Sequence, residues 1–352
     1  VSQFDNQTCL LPEWVEQSMV FLAWPFAEGD FSPWLTDVEK TYLQIVSAVV
    51  PREILLIACQ NETHRRHIET IMARGGIPLN RVQFVVAPYD DVWVRDTAPL
   101  SVLSARGPVL LDFRFNGWGG KYEYANDALL ARRLHGAGVL GNNIGLDFVD
   151  FVLEGGSVET DGDGVVMTTT RCLLNPNRNP EYSRSEIETV LSERLGAQKV
   201  LWLEYGYAEG DDTDAHIDTL ARFCSSDTIA YTACDRPDDP LYDEFLAMAE
   251  QLATFSNRLG QPYRLVPLPI PSPILSESGD RLPATYANFL IINDAVLVPV
   301  YADPADAIAL DRLAGCWPER TIIPIDCVSL IRQYGSLHCM TMQFPANTVS
   351  SC

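Results

Sequence analysis

Three stretches of this 352-residue sequence carry residue types that could make and break bonds. Near one end, Tyr334-Gly335-Ser336-Leu337-His338-Cys339-Met340-Thr341 places a thiol in a short apolar run opened by a glycine turn, and Cys339 is the candidate nucleophile. In the middle, His216 and Asp218 stand two residues apart in an acidic segment, so on an extended backbone both side chains share one face. Further upstream, Asp90-Asp91-Val92-Trp93-Val94-Arg95-Asp96 crowds acids, a tryptophan and an arginine between Pro88 and Pro99, which suits a site loop rather than a core.

These types fit one kind of substrate. A planar guanidinium cation needs bidentate carboxylate partners, and Asp96 and Asp218 would grip its two edges while localising positive charge on its carbon. That carbon is a poor electrophile until so held, and a thiolate at Cys339 could then attack it. His216 would protonate the departing ammonia and afterwards activate water, with Glu154 keeping the imidazole charged. Trp93 and Trp118 are candidates to line the substrate pocket, Trp118 from the glycine-rich loop Asn116-Gly117-Trp118-Gly119-Gly120.

Competing chemistries find less support. Asp212, Asp214, His216 and Asp218 supply metal-type donors within seven residues, but no second histidine stands at metal-binding spacing, and no metal is expected. His64 and His67 lie among Arg65 and Arg66 and read as a solvated helix face. Neither a dinucleotide nor a Walker phosphate motif appears, so no cofactor is expected. Asp161-Gly162-Asp163-Gly164 reads as a hairpin turn, since the further ligands of a calcium loop are missing.

The elements that must position these residues alternate between strand and helix signals, as in an α/β protein. Apolar runs mark strands at 19–25, 53–59, 81–87 and 148–153, then at 199–203, near 220–233, and at 262–268, 286–292, 295–300 and 321–326. Helical spacing predicts helices over 36–50, from 62 to the glycines at 75 and 76, around 122–135, and from about 241 to 259 and 304 to 314. The clearest is opened by Ser183-Arg184-Ser185-Glu186, a capping box, and stopped by Gly196. Polar loops at Asp96, Glu154, His216, Asn288 and Cys339 recur at intervals of 58, 62, 72 and 51 residues by subtraction. That recurrence suggests five similar α/β modules whose loops converge on an axis.

Composition narrows the partners. With 47 acidic and 25 basic residues the net charge is −22, which repels nucleic acid and anionic membranes and concentrates a small cationic substrate. The apolar share of 47% excludes wholesale disorder. No stretch approaches the roughly 18 apolar residues of a membrane span, and no signal-peptide pattern opens the sequence. It begins at Val1 without methionine, which leaves a preceding segment open. Nine scattered cysteines, Cys352 among them, form neither an even framework nor a Cys-x-x-Cys pair, and a reducing, cytoplasmic setting is expected. Homo-oligomerisation is left open.

Taken in order, the motifs resemble the agmatine deiminase and bacterial-type peptidylarginine deiminase family of the pentein superfamily. The resemblance runs from Leu11-Pro12-Glu13-Trp14 through Trp93-Val94-Arg95-Asp96, Phe115-Asn116-Gly117-Trp118-Gly119-Gly120 and Leu153-Glu154-Gly155-Gly156-Ser157. It continues with Cys172-Leu173-Leu174-Asn175, Asn177-Arg178-Asn179-Pro180, Asp214-Ala215-His216-Ile217-Asp218, Asn288-Phe289 and His338-Cys339, nearly the whole chain. It implies a five-bladed α/β propeller of ββα-type modules around a central pocket, with residues 1–352 as one catalytic domain and no cofactor. It also implies Cys339 as nucleophile, His216 as acid and base, Asp96 and Asp218 on the guanidinium, and Glu154 behind the histidine. Agmatine, converted to N-carbamoylputrescine on the way to putrescine, is the first expectation. Peptidylarginine is the second, and an inert guanidine-binding protein the alternative from another class. Thr219, where such deiminases usually carry asparagine, and Glu159, where histidine is common, depart from the agmatine pattern. So do the residues flanking Cys339.

Overall fold

A computed structural model of the chain describes residues 8–105, 107–141 and 144–347. Its five small sheets each repeat one plan: an antiparallel strand pair, a helix, then a strand parallel to the second member of the pair. The repeat expected from loop spacing is therefore present, as the ββα-type modules of the pentein fold.

The first module shows how. Gln17–Ala23 and Ile54–Cys59 run parallel, joined by the helix Leu35–Val49. Both strands are almost continuously apolar because both faces are covered, as parallel strands require. The helix turns Val38, Tyr42, Ile45, Val46 and Val49 inward at helical spacing and ends just before Pro51, which cannot continue it. The antiparallel partner of Gln17–Ala23 is Thr341–Pro345, from the opposite end of the described chain. That pairing closes the ring of modules.

The second module uses Leu100–Ser104, Gly107–Arg114 and Gly145–Val152, and the third uses Glu159–Thr160, Val165–Thr169 and Lys199–Leu203. The fourth consists of Ala221–Ser225, Thr228–Ala233 and Arg264–Pro269, and the fifth of Leu290–Ile292, Ala295–Val300 and Thr321–Asp326. In the third, the helix Arg184–Leu195 has the expected capping box, with Ser183 and Glu186 each satisfying the other's backbone N–H, and ends at Gly196 with φ +74°. The turn 161–164 is the expected hairpin: Asp161 Oδ1 accepts from the Asp163 and Val165 amides at 2.8 and 2.9 Å.

Three elements are markedly shorter than expected. The helix expected over 241–259 is Tyr242–Leu252, because Asn257 Oδ1 accepts the Leu259 and Gln261 amides and turns the backbone away. The helical stretch expected around 122–135 is confined to Leu130–Gly136 after a short 3-10 turn. The strand expected over 286–292 is only Leu290–Ile292, since Asn288 spends its side chain on the site described below. Cys352 lies outside the described residues, and the eight described cysteines are unbridged. Among the described residues no helix is long and apolar enough to cross a membrane.

Candidate active site

Each of the five polar loops enters the first strand of a module, a few residues ahead of Leu100, Glu159, Ala221, Leu290 and Thr341. The ring thereby brings five distant segments to one place. Asp96 sits in the single helical turn Val94–Thr97, which is tied to the Cys339 loop by the Arg95 amide donating to the Cys339 carbonyl at 3.1 Å. Glycine at 155 lets the next loop come up against the Arg95 carbonyl, where any Cβ would collide. Gly156 then donates its amide to Asp96 Oδ1 at 2.8 Å.

Gly156 marks where the acids and the histidine converge. A Cβ on it would lie 2.8 Å from His216 Nδ1, 2.9 Å from Asp96 Oδ1 and 3.1 Å from Asp218 Oδ2. Asp96 Oδ2 accepts from Trp118 Nε1 at 2.9 Å. Trp118 reaches it from a left-handed backbone, φ +53°, between Gly117 and Gly119, which also have positive φ. A bulky residue adopts that conformation only when its surroundings enforce it.

Cys339 Sγ is held by both remaining loops. The thiol donates to Asp218 Oδ2 at 3.6 Å, and Asn288 Nδ2 donates to the sulfur at 3.3 Å. Asn288 Oδ1 also accepts the His338 and Cys339 amides at 2.8 and 3.3 Å, fixing the backbone on which the thiol sits. Burial, then the charges of Asp218 and Asp96, push the thiol well above its ordinary pKa.

The carboxylates and imidazole respond to the same surroundings. Burial raises Asp96, although the Gly156 and Trp118 N–H groups favour its anion. Burial opposes charge on His216, but the Asp96 carboxylate at 3.7 Å, the Cys172 sulfur and Glu154 outweigh it and raise the imidazole to about 10. Burial also works against the Asp218 anion, and the His338 ring, whose Nδ1 lies 2.8 Å from Oδ2, overcomes it and holds the carboxyl below its usual range. Two polar atoms here are buried without a partner, His216 Nε2 and Asp218 Oδ1.

A cleft with about 510 Å³ of empty space opens onto this cluster. Four of the residues singled out from the sequence line it, namely Cys339, Asp96, Trp93 and Trp118. His216, Asp218 and Glu154 stand behind its wall, fully buried. Asp30, Asp91 and Asp212 line it as well. Among the described residues Asp91 has no cation partner, and burial with Asp127 and Asp30 nearby raises it to about 8. Across the mouth, Lys121 Nζ donates to the Asp212 carbonyl at 2.6 Å and the Tyr122 hydroxyl donates to the Asp212 carboxylate.

The donor set does not suit a metal. Asp214 pairs with Arg178 at 2.7 Å and Lys121 at 3.1 Å, Asp212 meets Lys121 and Tyr122, and Asp218 faces His338. Glu154, Cys172 and His216 do converge, but Arg178 Nε already holds both Glu154 oxygens at 2.8 and 3.0 Å. A cation is thus built in where a metal would need one of its ligands.

Sequence reasoning passed over four residues of this centre. Asn288 has a loop position but no role there, and His338, Arg178 and Glu13 enter only as motif members. For Asn288, His338 and Glu13 the one signal is polarity among apolar neighbours; Arg178, among asparagines and prolines, has none.

An acidic cleft, a buried thiol at its wall and paired carboxylates on a five-module ring define a guanidinium-modifying hydrolase of the pentein class. Over residues 9–345 the chain matches the Porphyromonas-type peptidyl-arginine deiminase family, and it belongs to that family. A Porphyromonas gingivalis structure, solved under the provisional name of an arginine deiminase, is 43% identical with a TM-score of 0.91, covering 98% of this chain and 100% of its own. A C. jejuni agmatine deiminase, solved as a cysteine-to-serine variant with substrate bound, is 34% identical with a TM-score of 0.89 and 99% coverage of both chains. A Selenomonas ruminantium protein provisionally named agmatine deiminase is 33% identical over 93% of this chain and 92% of its own.

Proposed function

We propose that the protein deiminates agmatine, releasing ammonia and N-carbamoylputrescine, with Cys339 as nucleophile. The observation that carries the reading is the Cys339 thiol at the wall of a cleft lined by Asp30, Asp91, Asp96 and Asp212. Guanidinium binding between Asp96 and Asp218 offsets the carboxylate charge that keeps the thiol protonated; the thiol then gives its proton to solvent water, and the thiolate adds to the guanidinium carbon. His216, carrying a proton from its pairing with Asp96, gives it to the departing nitrogen, and ammonia leaves a thiouronium on Cys339. Water adds to that carbon as His216 takes its proton, and collapse expels the thiolate and yields the ureido product. Glu154 supports the imidazole from behind. Trp93 and Trp118 bound the guanidinium laterally.

The remote end favours a free dication. Asp30 and Asp212 supply carboxylates for a distal ammonium, which would also draw the proton off Asp91, and the clasp from Lys121 and Tyr122 to Asp212 narrows the mouth against a folded polypeptide. Peptidylarginine is the second reading, favoured by the family's description and by the 43% identity to the P. gingivalis protein. All five modules contribute to the one site, which supports a single catalytic domain, and the unbridged cysteines support a reducing compartment such as the cytoplasm.

The test sets agmatine, free arginine and an arginyl peptide side by side, with ammonia and ureido product as readouts. Agmatine should give the highest kcat/KM, and Cys339→Ala should lose turnover with all three while keeping its circular dichroism. A preference for the peptide overturns the substrate; turnover by Cys339→Ala overturns the nucleophile.

A further inference from the structure

Asp218 is fully buried, lies beside a thiol and a second carboxylate, and still must be ionised to hold a guanidinium. What keeps it so is found on the far side of His338. The His338 ring has Asp218 Oδ2 at 2.8 Å on Nδ1 and Glu13 Oε2 at 2.7 Å on Nε2. A carboxylate can only accept, so both bonds form together only when both ring nitrogens carry protons. The ring between two ionised acids is then an imidazolium, donating to each.

Glu13 is anchored independently of the site. Its Oε1 accepts the Ile291 amide at 2.6 Å, and its Oε2 also accepts Arg222 Nη2 at 3.0 Å, with Arg95 Nη2 at 3.6 Å. Arg222 is itself fixed by Glu159, by the Phe289 carbonyl at 2.6 Å and by the Phe289 ring beneath it. The charged groups facing His338 are Glu13, Asp218 and Glu159. Those facing Glu13 are Arg222, Arg95, Arg320, His338, Glu159 and Glu53, and those facing Asp218 are His338, His216, Arg222, Arg95, Asp96 and Cys339.

We propose that Glu13 is a positioning residue for deimination: acting through the His338 imidazolium, it keeps the Asp218 carboxylate ionised with its Oδ2 anchored, leaving the unpartnered Oδ1 for the substrate's guanidinium. This rests on the reading of the site proposed above. Glu13 touches neither substrate nor Cys339. Its carboxylate fixes which way the ring's two protons point, and without it Nε2 has no anion to hold a second proton.

The test is the pH dependence of binding, which does not require turnover. In a Cys339→Ala background, agmatine affinity is measured by calorimetry from about pH 3 to pH 8 with and without Glu13→Gln. The glutamine keeps an oxygen for Ile291 but loses the charge. We expect the acid limb of binding to rise by about one pH unit, so that affinity below the limb falls about tenfold while affinity at neutral pH changes little. His338→Gln, which can donate to Asp218 but cannot be charged, should move the limb equally, and the double variant should lose no more than either single one. Thermal unfolding and circular dichroism report whether each variant is folded. If Glu13→Gln fails to fold, His338→Gln alone decides. An unmoved acid limb in a folded variant, or losses that multiply in the double variant, overturns the proposal. Should the Cys339→Ala protein bind no guanidinium at any pH, the reading of the site fails rather than the role of Glu13.

Discussion

At the scale of single residues, the chemistry depends on a thiol kept quiet. Burial and two carboxylates hold Cys339 protonated in the free protein. Iodoacetamide labelling of Cys339, followed by peptide mass spectrometry, should therefore climb about tenfold per unit from about pH 7 to pH 9. A rate already level near neutrality would mean a pre-formed thiolate and a different mechanism. That Cys339, His216, Asp96, Asp218 and Glu154 would meet is legible in the sequence from polar loops recurring at module-length spacing, while the role of each remains as proposed above. Glu13 and His338 were not legible as a pair. They lie 325 residues apart, and no local spacing encodes a contact at that separation.

At the scale of elements, glycine decides how closely the loops can approach. Gly156→Ala would drive a methyl into His216 Nδ1, Asp96 Oδ1 and Asp218 Oδ2 at once. All three belong to packed, hydrogen-bonded loops, so relief must come from moving the site. We expect kcat to fall about 100-fold with stability lowered by roughly 1–3 kcal/mol, read from steady-state rates and denaturant unfolding. Near-normal turnover would show that the loops yield more easily than their contacts imply. The regular elements were read well where a local rule sets them. Ser183 and Glu186 announce a capping box, and Val38 to Val49 shows one helix face. The signals failed where side chains serve something else, as at Asn257, which closes a turn, and at Asn288, which steadies the nucleophile loop. Propensity does not know which polar group has another task.

At the scale of the whole molecule, a net charge of −22 surrounds a cleft that is itself acidic. Such a field gathers a dication and is screened by salt, with a Debye length falling from about 30 Å at 0.01 M to about 8 Å at 0.15 M. Across that range KM for agmatine should rise several-fold with kcat little changed. A flat KM would confine recognition to contacts inside the cleft. The loop spacing made five modules legible, but not their closure, because nothing in residues 341–345 names 17–23 as their partner. That closure has a consequence for synthesis. Gln343 pairs with Val20, 323 positions earlier by subtraction, so at about 5–20 residues per second the early strand waits roughly 16–65 s on the ribosome with one edge bare. From the moment residue 218 is made until late in that interval, the nascent chain carries Asp96, Glu154, His216 and Asp218 without Cys339. The closing strand that covers the exposed edge begins two residues after Cys339, so the candidate nucleophile and the last cover for that edge leave the ribosome together.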